Sequence, residues 1–473
     1  MTPPQTIPAS AVTPGHRGRH TDEFEAAARV ETIRDPWMEV PAILARIPSH
    51  AFASRDYVAT DYGAVGDGRT DDHAALVRTI AACAAGGGGR VVVPPGDYLT
   101  GPLHLRSHMN LHVCAGAMLR FTTDSRRYLP LVCTRWEGME CMGLSPLIYA
   151  CEQEHIAITG AGVLDGQAGP GRWWNWAGPW EGTRPTGWTP GQPHQAAARD
   201  RLKRWAESGL PVHQRLCTEQ DLLRPMFIQF YRCREVLVEG ITLRNSPMWG
   251  VHPVLCRAVT VRKVRIDSHG PNNDGCVADS SCDVLIEDCL LDTGDDCIAI
   301  KSGRNQDGLR VNVPAEDIVV RGCRMLNGHG GVAIGSEISG GVRRVFVERC
   351  VMDSPQLDVA FRIKANSTRG GVVEQIYLRD LEVCGVRDAA VQIDLRYAQA
   401  EEQGNRLPRV REIVIERLAC AQSGRAVWIE GLAAMPVCDV HIRDSGFRRV
   451  AAANILHHVE GFTARQIVFP APA

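Results

Sequence analysis

The chain has 473 residues, a formal net charge of −2, 44% hydrophobic and 22% charged residues, the balance of an ordinary globular protein. So small an acidic excess, with no lysine/arginine block, argues against a nucleic-acid partner. No run approaches the roughly eighteen apolar residues of a membrane span.

The opening residues, MTPPQTIPASAVTPGHRGRH, lack the apolar stretch of a secretory signal, which leaves the compartment open. Residues 1–55 read as a Pro-rich N-terminal extension with one short helix at 22–30. Residues 61–85, DYGAVGDGRTDDHAALVRTIAACAA, predict a turn and then an amphipathic helix with apolar Leu76, Val77 and Ile80. The acidic cluster at 67–72 lacks the ligand spacing of a calcium loop and reads as a turn leading into that helix. Gly86–Gly89 turn the chain into a strand. No lysine and helix follow, so this is not a phosphate loop.

From His155 onward a nine-residue phrase recurs. HIAITGAGV is followed by EVLVEGITL from Glu235, AVTVRKVRI from Ala258, DVLIEDCLL from Asp283, DIVVRGCRM from Asp317 and RVFVERCVM from Arg344. Weaker copies begin at Gln375, Glu412 and Asp439. Positions two and four are apolar among polar neighbours, the period-two pattern of a half-buried strand. From Glu235 on, starts lie roughly 23 to 37 residues apart, the spacing of solenoid rungs. Cys289, Cys323 and Cys350 share position seven and read as a stack of buried thiols. The cysteine total of 17 is odd, and no close C-x-x-C pair suggests zinc.

Residues 168–223 interrupt the repeat and carry Trp173, Trp174, Trp176, Trp180, Trp188 and Trp205, six of the ten tryptophans. They form either a small subdomain core or a lid offering flat apolar faces beside a cleft.

A second strand follows in many rungs: CIAIKS, GVAIGS, AFRIKA, AVQIDL and AVWIEG. The fold expected is all-β, a single-stranded right-handed parallel β-helix over residues 56–473, its N-terminal end covered by the helix near Leu76 because open strand edges need protection. Counting back three places from the first inward residue, taken as Val277, Ile298 and Val332, gives Asp274, Asp295 and His329. With rungs about 4.8 Å apart, these three should stack in one outward column beside Asp296. Arg362 and Lys364 project outward one rung further, and Lys301 shares that face.

Paired acids can hydrolyse a glycosidic bond, one giving a proton to the leaving oxygen and one activating water. Inverting enzymes hold them about 6.5–9.5 Å apart to admit that water. Crowded carboxylates raise the proton affinity of at least one. His329 could steady the transferred proton, and the cations suit a carboxylate on the substrate. His269, Asn272 and Gln356 are further candidates.

In this order PNNDG, TGDDC, GHGG and RIK resemble the four signatures of the polygalacturonases, glycoside hydrolase family 28, from about residue 61 to the last rungs. The resemblance implies hydrolysis of α-1,4-galacturonosyl links in pectin with inversion and without metal or other cofactor. It makes Asp295 the general acid, Asp274 and Asp296 the pair that activates water, and His329 a supporting group. Arg362 and Lys364 become ligands of the sugar carboxylate, and Tyr397 in IDLRYA a sugar contact. Asn273, Val277 and Arg396 depart from the usual pattern. The insertion points to exo attack. A polysaccharide lyase, a rhamnogalacturonan-type hydrolase and a non-catalytic carbohydrate-binding β-helix are the alternatives.

Overall fold

A computed structural model describes residues 35–180, 185–398 and 403–467. The helix expected at 22–30 lies outside the described residues. From Pro36 on, the chain is a parallel solenoid. One face is an eleven-stranded sheet whose spatial order is the chain order. Its strands are β1 (Leu103–His104), β2 (Ile148–Cys151), β3 (Ile228–Tyr231), β4 (Val251–Val254), β5 (Cys276–Asp279), β6 (Ile298–Lys301), β7 (Gly328–Gly335), β8 (Leu357–Lys364), β9 (Ala389–Asp394), β10 (Arg425–Glu430) and β11 (Ile455–His457). The remaining flank is a 24-stranded sheet built from the recurring phrase.

The phrase holds register rung by rung. Position two pairs Ile156 with Val236, then Val259, Val284, Ile318, Val345, Ile376, Ile413 and Val440. All nine are buried in one core, so each rung covers the apolar face that its neighbour cannot bury alone. Cys289, Cys323 and Cys350 are buried, and all cysteines are free thiols. Position six turns the corner in the left-handed region at every copy, with Lys263, Asp288, Arg349, Asp380, Arg417 and Asp444 at φ of 50–55° and glycine at 160, 240 and 322.

Among the described residues four α-helices decorate the solenoid: α1 (Val40–Ala45), α2 (His73–Ala85), α3 (Ala196–Glu207) and α4 (Asn305–Val311). Helix α2 covers the first rungs with Leu76, Ile80 and Cys83 in the core. Val77 does not join them; it faces outward at 42% exposure. Asp72 accepts the backbone N–H groups of Val65 and Gly66, which accounts for part of the acidic cluster as turn chemistry.

The stretch 36–55, read as irregular, contains a 3-10 turn (Pro36–Glu39) and α1. It is held on the flank by Trp37 against Phe346 and by Arg46 bridging Asp283 and Asp317. None of the helices among the described residues is long and apolar enough to cross a membrane.

Candidate active site

The acids stand where the chain enters two successive strands. Asp274 lies just before β5, Asp295 and Asp296 just before β6, and His329 within β7. Cys276 pairs with Ile298, and Ile298 with Val332. Asp274 is therefore level with Asp296, while Asp295 is level with His329. The expected single column of Asp274, Asp295 and His329 is off by one residue in its first member. The inward residues of β5 are the small Cys276 and Ala278. Val277 faces out, packed with Met248, Trp249 and Ala299 against the insertion. A larger outward residue beside two smaller inward ones misleads a period-two reading.

The acids nevertheless converge. Asp274, Asp295 and Asp296 each place an oxygen within 4.8 Å of the others, and all three are buried. This nearest approach is shorter than the expected 6.5–9.5 Å, so the spacing rule does not by itself establish inversion here. Each acid faces a cation. His329 Nδ1 is 3.2 Å from Asp295 Oδ1, Lys364 Nζ is 2.7 Å from Asp296 Oδ2, and Lys301 Nζ is 3.8 Å from Asp274 Oδ2. The spacing could admit a cation, but Lys364 and Lys301 already occupy that electrostatic role. A second grouping with metal-compatible spacing, Asp267, His269 and Asp292, lies off the cleft wall.

Protons are distributed unevenly. Burial, reinforced by the Asp295 charge, pushes Asp274 well above the usual carboxylate range. Burial also penalises the charge of Asp295, but His329, Lys364 and Lys301 outweigh it and hold that carboxyl low. The Asp295 charge in turn raises His329 to about 9. The 3.2 Å contact between His329 and Asp295 is therefore an imidazolium–carboxylate pair with the proton on the imidazole side, and Asp274 is the carboxyl most inclined to keep a proton. The group that burial and crowding favour as an acid is Asp274, whereas the resemblance gave that role to Asp295.

A cavity of about 370 Å³ opens over this floor. Asn272, Asp274, Asp295, Lys301, His329, Lys364 and Tyr397 are on its wall. Lys301 is buried, donates to Glu337 Oε2 and Gly335 O, both at 2.9 Å, and lies 4.8 Å over the Trp249 ring. Tyr397 receives two cations on its face, Arg362 at 5.3 Å and Lys364 at 5.2 Å. Arg362 is not on the wall itself; its Nε is buried without a hydrogen-bond partner. His269 and Gln356 are not on the wall either: His269 sits between Asp267 and Asp292, and Gln356 is in an exposed turn.

Of the six insertion tryptophans only Trp180 reaches the cavity. Trp173 and Trp174 are buried in the solenoid core, Trp173 edge-on to Tyr128, and the Trp174 indole donates to Ser246 O. Trp205 packs beside the cluster under α3. The insertion still forms one side of the cavity, through Ala177, Pro179, Gln195 and Arg199. Sequence reading missed Trp249, Glu137, Glu337, Arg304 and Arg369, which complete the wall. The usable signal for two of them was charge placed one to three residues beyond an outward-facing strand end, as in KSGR and GSE.

Comparison with known proteins decides the family. A profile described as "Glycosyl hydrolases family 28" matches residues 209–451. The chain belongs to glycosyl hydrolases family 28. A second profile, "Rhamnogalacturonase A/epimerase, pectate lyase-like", matches residues 58–112 around the capping helix. An exopolygalacturonase from Thermotoga maritima is 42% identical with a TM-score of 0.87, covering 91% of this chain and 95% of that one. A probable polygalacturonase of Vitis vinifera is 30% identical over 72% of this chain and 63% of its own length. An exo-poly-alpha-D-galacturonosidase of Dickeya chrysanthemi is 25% identical over 72% and 57%. The chain thus spans somewhat less than two thirds of these two curated relatives. The solenoid is the right-handed parallel β-helix of this family, and its acids, His329 and the two outward cations occupy successive rungs of that helix.

Proposed function

We propose that the protein hydrolyses α-1,4-galacturonosyl linkages of pectin or its oligosaccharides by acid–base catalysis with inversion, removing sugars from a chain end. The observation that carries this reading is the convergence of Asp274, Asp295 and Asp296, with His329 on Asp295, at the floor of a cationic cavity. In this mechanism the proton for the leaving glycosidic oxygen starts on the His329 imidazolium and passes through Asp295, 3.2 Å away, which leaves His329 neutral. Asp274 and Asp296 hold the attacking water. That pair needs only one carboxylate to take the water's proton, and Asp296 is salt-bridged to Lys364. Buried donors and cations around the floor strengthen charge stabilisation, because little water competes there.

Substrate charge is read by the cations. Among the described residues Arg362 makes no ion pair within 4 Å; it lies over the Tyr397 face with Nε unpartnered, and Asp358 and Asp394 feel its charge only through space. A uronate carboxylate beside Tyr397 would supply the missing partner, with Lys301 and Lys364 adding positive potential. The matched relatives named as exopolygalacturonase and exo-poly-alpha-D-galacturonosidase act in the sense proposed.

One digestion decides between reactions. Homogalacturonan, rhamnogalacturonan and unsaturated oligogalacturonides are incubated in parallel, with products identified by mass and the fresh anomer by proton NMR. Saturated galacturonate with inverted configuration from homogalacturonan is expected. An ultraviolet-absorbing unsaturated product would mean a lyase, and turnover of rhamnogalacturonan alone would move the substrate. No turnover of any of the three would leave a binding β-helix.

A further inference from the structure

Arg224 closes the insertion, four residues before β3, and is completely buried. Among the described residues its guanidinium has no carboxylate within ion-pair distance. It donates to Pro247 O at 3.1 Å, Pro271 O at 2.5 Å, Gln195 Oε1 at 3.1 Å and Asn272 Oδ1 at 2.7 Å. Every acceptor is neutral. A buried charge without a counter-ion is costly, and burial pulls this guanidinium down to about 10 while Glu137, Asp295 and Asp274 act against it through space. Such a residue needs a reason beyond stability.

Its contacts supply one. Two of the four acceptors, Pro271 and Asn272, belong to the PNND turn that carries Asp274. A third, Gln195, stands at the start of α3 and is on the cavity wall, as is Asn272. With Asn272 Oδ1 turned back to Arg224, the amide nitrogen is the end left for the cavity. Asn272 sits at φ 52°, so the fork also fixes a left-handed backbone that the turn needs.

We propose that Arg224 is a positioning residue: it locks the PNND turn to the insertion and orients the Asn272 amide so that its N–H donors meet a sugar oxygen in the cavity. Without the fork the amide is free to flip and present an acceptor where the substrate also presents an oxygen. The charge additionally sits beside Asp274 and Asp295 without competing for their hydrogen bonds.

The assignment rests on the galacturonan reading, so turnover of oligogalacturonides by the parent chain is measured first; a parent without turnover fells both. Asn272→Asp then keeps the acceptor toward Arg224 and replaces the donor by an oxygen. It should hold the parent's Tm or exceed it, while kcat/KM falls at least tenfold. Arg224→Lys retains the charge but not the fork and should lose a comparable factor, mainly through KM. In Arg224→Lys/Asn272→Ala the loss should be no greater than in Asn272→Ala alone, because one acts through the other. Parent-like kinetics in Asn272→Asp, or fully additive losses in the double variant, overturn the positioning role while galacturonan hydrolysis stands. Should Arg224→Lys fail to fold, Asn272→Asp decides alone.

Discussion

At the scale of single residues, the site separates groups that a sequence treats alike. Asp295→Asn keeps the shape of the side chain and removes the transferable proton. kcat should fall by about 10²–10⁴ with KM little changed, and steady-state kinetics on oligogalacturonides check it. Arg362 and Lys364 both read as substrate ligands, yet only Lys364 is salt-bridged inside the site. Lys364→Ala leaves Asp296 buried and unpaired, which costs about 3–5 kcal/mol of stability as well as turnover. Arg362→Ala should leave Tm near the parent's and raise KM for uronate substrates roughly tenfold or more, a lost charge-assisted bond. Thermal melts beside kinetics separate the two. The pH profile follows from His329. Its affinity for a proton is raised from about 6.5 unfolded to about 9 by Asp295. The imidazolium–carboxylate pair therefore contributes fully to stability below about pH 6.5 and is lost as pH rises through about 9. The alkaline limb of kcat/KM should lie near that value and disappear in His329→Gln, measured at substrate concentrations well below KM. The motifs pointed to Asp274, Asp295, Asp296 and His329 because turn-like strings recurred at one point of successive rungs. Glu137, Trp249 and Arg369 were not legible, because they approach the floor from different connections and share no repeat position.

At the scale of elements, the rung is set by two rules that the sequence shows unequally. Positions two and four declare themselves through period-two hydrophobicity, and every copy is buried in register. Position six adopts the left-handed region in all nine copies, yet only Gly160, Gly240 and Gly322 announce it. Asp, Lys and Arg fill the others, so the corner is invisible to a reading that looks for glycine. The slip at Asp274 has a different cause: Cys276 and Ala278 are inward but smaller than the outward Val277. Lys263 offers a test of the corner. It is exposed at φ 53°, where a non-glycine residue loses about 1–2 kcal/mol, and glycine would regain this less its extra unfolded-state entropy of roughly 0.5–1 kcal/mol. Lys263→Gly should be neutral to stabilising by up to about 1 kcal/mol, read from a denaturant midpoint at constant slope. The equivalent change at an inward neighbour, Val264→Gly, should instead cost several kcal/mol through lost burial.

At the scale of the whole molecule, a solenoid presents an open groove along its length unless something closes one end, and here the insertion lines the cavity over the acids. Ala177, Pro179, Trp180, Gln195 and Arg199 wall the cavity on one side. Arg199 reaches Glu137 at 2.6 Å, and Arg304 reaches Glu137 at 3.3 Å and Glu337 at 3.5 Å, so the wall is tied by ions to the strand-end loops. Most insertion tryptophans serve as core rather than as sugar platforms, which weakens the aromatic argument for a lid but leaves the steric one. A cavity of about 370 Å³ is of the size that takes one or two sugar rings over the acids. A blocked groove admits only a chain end, so mono- or disaccharides should be released from the first minutes while polymer viscosity falls slowly. An open groove cuts internally and collapses viscosity before much reducing sugar appears. Both curves, followed on one homogalacturonan sample, separate the cases: an early viscosity collapse with a ladder of mid-length oligomers would show that the insertion does not close the cleft. Arg199→Ala and Trp180→Ala, which thin the wall without touching the acids, should then shift the parent's small products toward longer ones, because the steric stop lies in those side chains and not in the catalytic floor.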